Sequence, residues 1–141
     1  MIGVIVTGHG SFASGMESAL RLLAGRPEKF TSVDFKQEDT IDDLEFRLRD
    51  EIRKMNECTG VLILADIYEG APFRESVEMK EKLTSQKIEV VAGVNLGMLM
   101  QINLSRGYVS DVSDLADLAV EEGKKQTLKY VYSESEAQYD D

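Results

Sequence analysis

Val61-Leu62-Ile63-Leu64, closed by Ala65 and Asp66, is the stretch on which the fold turns. Four consecutive aliphatic residues without polar alternation describe a strand covered on both faces, the condition of a parallel strand sandwiched between helices. Outward from it, three further runs have strand length: Ile2 to Thr7, Phe30 to Phe35 and Ile88 to Val94. They start at intervals of roughly 30 residues, the length of one βα unit. Between them the apolar spacing turns helical. Ile41, Leu44, Leu48, Ile52 and Met55 share one face of a 3.6-residue repeat, opened by a capping-box pattern from Thr40 to Asp43. Phe12, Met16, Ala19, Leu20 and Leu23 make a similar stripe after Ser11, stopped by Gly25 and Pro27. Pro72 fits the first turn of a third helix running toward Gln86, and Asn95 fits the cap of a fourth ending near Gly107. The pattern is βαβαβαβα, architectural repetition without a sequence repeat.

Phe30 to Phe35 carries Thr31, Ser32 and Asp34, so it belongs at an edge. The expected fold is therefore an α/β domain with an open, doubly wound, mostly parallel sheet of order 2-1-3-4 and helices on both faces. A fifth helix is expected from Ser113 to about Lys125. A β-like segment from Thr127 to Tyr132 follows, able to join the far edge of the sheet in its own or a neighbouring subunit. Residues 133–141 read as an acidic, disordered tail beyond a single domain of residues 1–132.

Composition narrows the function. The 141 residues hold 26 acidic and 16 basic side chains, a net charge of −10; Glu134, Glu136, Asp140 and Asp141 supply four of the negatives and leave −6. Such a balance disfavours nucleic-acid binding, which relies on clustered Lys and Arg, and suits a partner with a basic docking face. One cysteine, Cys58, excludes an intrachain disulfide, and one histidine, His9, excludes a multi-histidine metal site within the chain. Carboxylates alone could hold Mg²⁺ or Ca²⁺, but no metal is expected. No apolar run is long enough to span a membrane, and Met1 to Val6 lacks the parts of a signal peptide, so a cytoplasmic protein without membrane insertion is expected.

In an open α/β sheet, ligands bind at the carboxyl ends of the strands, where strand order reverses. That rule selects Thr7-Gly8-His9-Gly10-Ser11 and Asp66-Ile67-Tyr68-Glu69-Gly70-Ala71-Pro72. If strands one and three are neighbours, His9 and Asp66 face each other. A carboxylate beside an imidazole fixes the proton on one ring nitrogen and leaves the other as a nucleophile. The glycines and helix starts of both loops suit an anion, with Gly8, Gly10, Ser11, Gly70 and Ala71 as candidate phosphate-binding positions. There is no serine elbow, no second histidine and no Walker lysine, which argues against hydrolase triads and P-loop chemistry. As bland alternatives, His9 is a loop residue between glycines and Asp66 a turn cap.

Three segments together, Ile5 to Gly15, Asp66 to Phe73 and Val94 to Leu99, resemble the mannose-family IIA component of the bacterial sugar phosphotransferase system, over about residues 1 to 132. The resemblance implies a homodimer that exchanges its C-terminal strand, which would account for Thr127 to Tyr132. It implies that His9 takes a phosphoryl group on Nε2 from the phosphocarrier protein HPr and passes it to a IIB component, while Asp66 orients the ring; no nucleotide, metal or other cofactor takes part. The chain departs from the commonest family pattern at Glu69 and Ala71, where a glycine pair and a hydroxyl residue are usual, and at Gly97, where many relatives have proline. Glu69 is expected to point outward, and Ala71 leaves phosphate binding to backbone amides. The wording Gly8 to Gly15 is similar to the amino-sugar branch. Other readings remain: a phosphate relay for a dihydroxyacetone kinase, or a dimeric module that binds an anion without turnover. A histidine phosphatase or mutase is disfavoured because Gly8 stands where that class has arginine and a second histidine is missing.

Overall fold

The computed structural model describes residues 1–133. Its elements run β1 (Gly3–His9), α1 (Phe12–Ala24), β2 (Phe30–Phe35), α2 (Ile41–Lys54), β3 (Val61–Ala65), α3 (Ala71–Lys82), β4 (Ile88–Ala92), α4 (Leu96–Ser105) and α5 (Val112–Lys125). The sheet is parallel throughout, in the order β2-β1-β3-β4, so the expected topology holds. The chain steps one way from β1 to β2 and then back across β1 to β3. Right-handed crossovers therefore put α1 on one face and α2 with α3 on the other. The reversal lies between β1 and β3.

Alternation along the strands divides the interior. Val4, Val6, Leu62, Leu64 and Val91 face α1, α4 and α5, where Leu20, Leu99, Ile102 and Leu115 are fully buried. Ile5, Val61, Ile63 and Ile88 face α2 and α3, against Leu44, Leu48, Ile52 and Met79. Every residue of β3 is buried, as its unbroken apolar run requires, whereas β2 is mostly half-buried, as an edge strand should be. The capping box of α2 is present with both bonds: Asp43 N–H donates to Thr40 Oγ1 at 3.1 Å and Thr40 N–H to Asp43 Oδ2 at 2.9 Å. α3 stops at Lys82, four residues short of Gln86, because Leu83 leaves the helical region at φ −92° and ψ 68° and the Gln86 amide then turns back onto the Leu83 carbonyl before β4.

One feature was not foreseen. Arg106, 4% exposed, donates to the carbonyls of Ile2 at 3.2 Å and Lys29 at 3.0 Å, and also to that of Glu28. It thereby ties the end of α4 to the entrances of β1 and β2. Residues Thr127 to Tyr132 form no strand within the single chain. They are exposed, with Leu128 at 86%. Within the single chain they pair with neither edge of the sheet, β2 or β4. The acidic run 134–141 lies outside the described residues.

Candidate functional site

β1 and β3 are in register from Gly3 with Val61 to Thr7 with Ala65, so the residues just beyond, His9 and Asp66, emerge together at the reversal point. Asp66 Oδ2 accepts from His9 Nδ1 at 2.8 Å and from the His9 amide at 2.9 Å, while Oδ1 accepts from the Ile67 amide at 2.9 Å. The carboxylate is 9% exposed and the imidazole 45% exposed. Burial pushes the Asp66 carboxyl upward, but the His9 amide, the imidazole and the Ile67 amide together outweigh it and hold the group below its ordinary range. A charged Asp66 accepts a proton-bearing Nδ1, which leaves the lone pair of the neutral ring on Nε2.

The glycines flanking this pair make space for it. A methyl group at Gly70 would lie 2.7 Å from His9 Cε1 and Nε2, and Gly70 has φ of +94°, a conformation that favours glycine. Gly70 also caps α3, whose first turn carries Pro72 and no side-chain cap, so the positive end of that helix opens toward the Nε2 edge. At Gly8 a methyl would meet Asp66 Cβ and Cγ at 3.0 Å and Phe12 at 2.8 Å. Gly8 is buried inside β1, and its smallness is what lets Asp66 abut the strand.

The other expected residues have different surroundings. The Gly10 amide donates to the Phe35 carbonyl at 2.7 Å, so it is already engaged; with φ of +60° the residue turns the chain between β1 and α1. Ser11 precedes α1 without capping it, and the third amide of α1, Ser14, donates to Asp34 Oδ1 at 2.9 Å. A carboxylate thus occupies the start of α1, whereas none caps α3. Ala71 is buried at the start of α3, and Glu69 is exposed. Sequence reasoning missed Phe35, whose ring meets the His9 ring edge-on at 6.2 Å and 66°. The signal was available: with β1 and β2 adjacent, Phe35 falls opposite His9 in the register.

The dyad lies on an open rim beside exposed Ile67 and Tyr68, Tyr68 stacking on Phe73 at 4.8 Å. A depression of about 830 Å³ lies at the other end of the strands, lined by Arg21, Arg26, Lys29, Phe30 and Lys54, away from the dyad. Among the described residues no group of three or more His, Cys, Asp or Glu side chains could hold a metal ion, and no helix is long and apolar enough to cross a membrane.

A doubly wound parallel sheet with an oriented imidazole above its reversal point defines an α/β domain that presents an exposed histidine nitrogen at the carboxyl ends of its strands. The chain belongs to the EIIA-man family of PTS system fructose IIA components, whose family model matches residues 3–120. It is 27% identical over 124 residues to the PTS system mannose-specific EIIAB component of Escherichia coli, covering 88% of this chain but 38% of that protein's length. It is 28% identical over 110 residues to the PTS system fructose-specific EIIA component of Bacillus subtilis, covering 78% of this chain and 74% of that one. Among solved structures, the phosphotransferase system component EIIA from Streptococcus agalactiae superposes with a TM-score of 0.86 at 32% identity, covering 92% of this chain and 97% of that one. The mannose/sorbose specific IIA subunit from Enterococcus faecalis shares the fold, with a TM-score of 0.84 at 22% identity over 94% and 96% of the two chains.

Proposed function

We propose that this protein is a phosphoryl carrier in carbohydrate uptake, accepting a phosphoryl group on His9 Nε2 from the phosphohistidine of HPr and passing it to a IIB component. The observation that carries the reading is the dyad: Asp66 engages Nδ1 at 2.8 Å and the glycine-capped start of α3 flanks Nε2. In the forward step the Nε2 lone pair attacks phosphorus, the N–P bond of the donor breaks, and its electron pair returns to the donor imidazole. Asp66 accepts the Nδ1 hydrogen bond throughout and stabilises the positive charge that builds on the ring. Gly70 and Ala71 place the α3 amides against the phosphoryl oxygens, with Gly8 and Gly10 acting through space and chain direction rather than as donors. Ser11 lies beside a helix start that already holds Asp34, so it ranks behind α3 as an anion site.

The reading calls for no nucleotide or metal. It makes the protein a phosphotransferase that works in the cytoplasm, where its donor is, and places protein partners on the open rim around Ile67 and Tyr68. The homodimer, with residues 127–132 exchanged between subunits, belongs to the same proposal. Its support is the exposed run of strand-favouring residues together with a sheet whose β4 edge is unpaired among the described residues.

Incubation with phosphoenolpyruvate, enzyme I and HPr, followed by intact-mass analysis, tests the reading. The expected product carries one acid-labile phosphoryl group that depends on HPr. His9→Ala should abolish acceptance while leaving the protein folded. Asp66→Asn should accept roughly 10–100-fold more slowly, since it keeps the shape but not the charge that steadies the ring. Phosphorylated HPr in the same tube as unmodified protein would contradict the carrier reading and favour a module that binds anions without turnover.

A further inference from the structure

Most ion pairs among the described residues join residues three or four apart on one helix, and such exposed pairs contribute little. The pair between Asp39 and Arg47 is built differently. It joins the β2–α2 loop to the middle of α2 by two parallel bonds, Nη2 to Oδ1 at 2.9 Å and Nη1 to Oδ2 at 2.9 Å. Asp39 Oδ2 also accepts from the Lys36 amide at 2.8 Å, and Arg47 Nη1 reaches the Asp34 carbonyl at 3.4 Å. Both chain neighbours of Phe35 are therefore held by one ion pair.

Phe35 is the residue those bonds enclose, and it is braced toward the dyad. Its carbonyl accepts from Gly10, the residue after His9; it stands opposite His9 in the β1–β2 register; and its ring meets the imidazole edge-on. On the remaining sides Asp66 engages Nδ1 and Gly70 flanks the Nε2 edge. Neither Asp39 nor Arg47 makes a hydrogen bond to His9 or Asp66.

We propose that Asp39 and Arg47 are positioning residues for the reacting histidine, acting through Phe35, which they clamp against the imidazole. The inference rests on the phosphohistidine reading of the site. Loosening the clamp lets the ring rotate about its Asp66 hydrogen bond, and small misplacements of a nucleophile are costly in rate. Arg47 is not replaceable by lysine in this role, because an ammonium lacks the planar fork that engages both oxygens at once.

A double-mutant cycle tests the route. Phosphoryl acceptance from HPr, the thermal midpoint and the ¹⁵N and ¹H shifts of the His9 ring, unambiguous with one histidine, are measured for wild type, Phe35→Leu, Asp39→Asn and the double variant. Phe35→Leu and Asp39→Asn should each slow acceptance about tenfold and shift the ring resonances in the same direction. In the Phe35→Leu background, Asp39→Asn should change the rate by less than about twofold. Phe35→Tyr should restore the rate. Multiplying rate losses, or ring resonances unmoved by Asp39→Asn, would overturn the clamp. The resonances report the coupling whether or not the wild type accepts phosphate, so failure of the carrier reading and failure of the clamp are distinguishable.

Discussion

At the scale of single residues, the site depends on what is missing as much as on what is present. His9 and Asp66 approach because Gly8 leaves room for the carboxylate and Gly70 for the ring. Gly70→Ala makes this testable. The new methyl would press on Cε1 and Nε2 at 2.7 Å, and a backbone at φ +94° disfavours any side chain. The expected outcome is a loss of about 1–2 kcal/mol in stability and a drop in phosphoryl acceptance far larger than that loss explains. Acceptance at the wild-type rate, read by the same intact-mass assay, would mean that the ring has freedom the geometry denies it. Much of this scale was legible beforehand. His9 and Asp66 follow from strand ends and the reversal rule alone. The division of labour among the glycines was not legible, because smallness required by packing and openness required by an anion look alike in a sequence. Phe35 was missed because its relation to His9 exists only once β1 and β2 are in register.

Among the elements, the strands and helices form where apolar period and capping residues agree, and the disagreements have local causes. α4 begins at Asn95, whose Oδ1 accepts from Met98 at 2.9 Å and whose Nδ2 donates to the Gly123 carbonyl at 3.0 Å, joining the start of α4 to the end of α5. Gly97 is part of that junction: the Gln126 side chain occupies the space that a Cβ at Gly97 would need. Gly97, where many relatives have proline, admits a contact between two helix ends. The β2–α2 loop carries a pH dependence. The side-chain hydrogen bond from Arg47, followed by the backbone bond from Lys36, holds the Asp39 carboxyl at about 2 rather than 3.8, and Asp66 is held low by His9 and Ile67 against its burial. For carboxyls lowered on folding, the stabilisation is present above the unfolded value and is lost as pH falls through the folded one. The Asp39 contribution is therefore expected to fade between 3.8 and about 2. Asp39→Asn should be less stable than wild type at neutral pH, and the gap should close as acid is added. A gap that persists unchanged in thermal melts at the acid end would contradict the linkage.

For the whole molecule, one sheet and two apolar layers leave an acidic body with a dyad on its rim and an exposed apolar segment at its end. Leu128, Tyr130, Val131 and Tyr132 make an exposed run of strand-favouring residues that pairs with neither sheet edge within the chain. The sequence pattern reads as β-prone, but pairing between chains cannot be read from one chain. If the segment exchanges between subunits, the full chain should sediment as a dimer and a chain ending at Gln126 as a monomer. Identical sedimentation of the two would remove residues 127–132 from the interface. Because the dyad draws on β1, β3 and α3 of one chain, the shortened protein should still accept a phosphoryl group.

If Asp66 holds Nδ1, the phosphoryl group must sit on Nε2. The most direct measurement is a ³¹P and ¹⁵N correlation on protein phosphorylated through HPr, with the His9 ring labelled. The expected result is phosphorus coupled to Nε2, with Nδ1 still protonated. Phosphorus on Nδ1, or no phosphorus on the ring at all, would contradict the account.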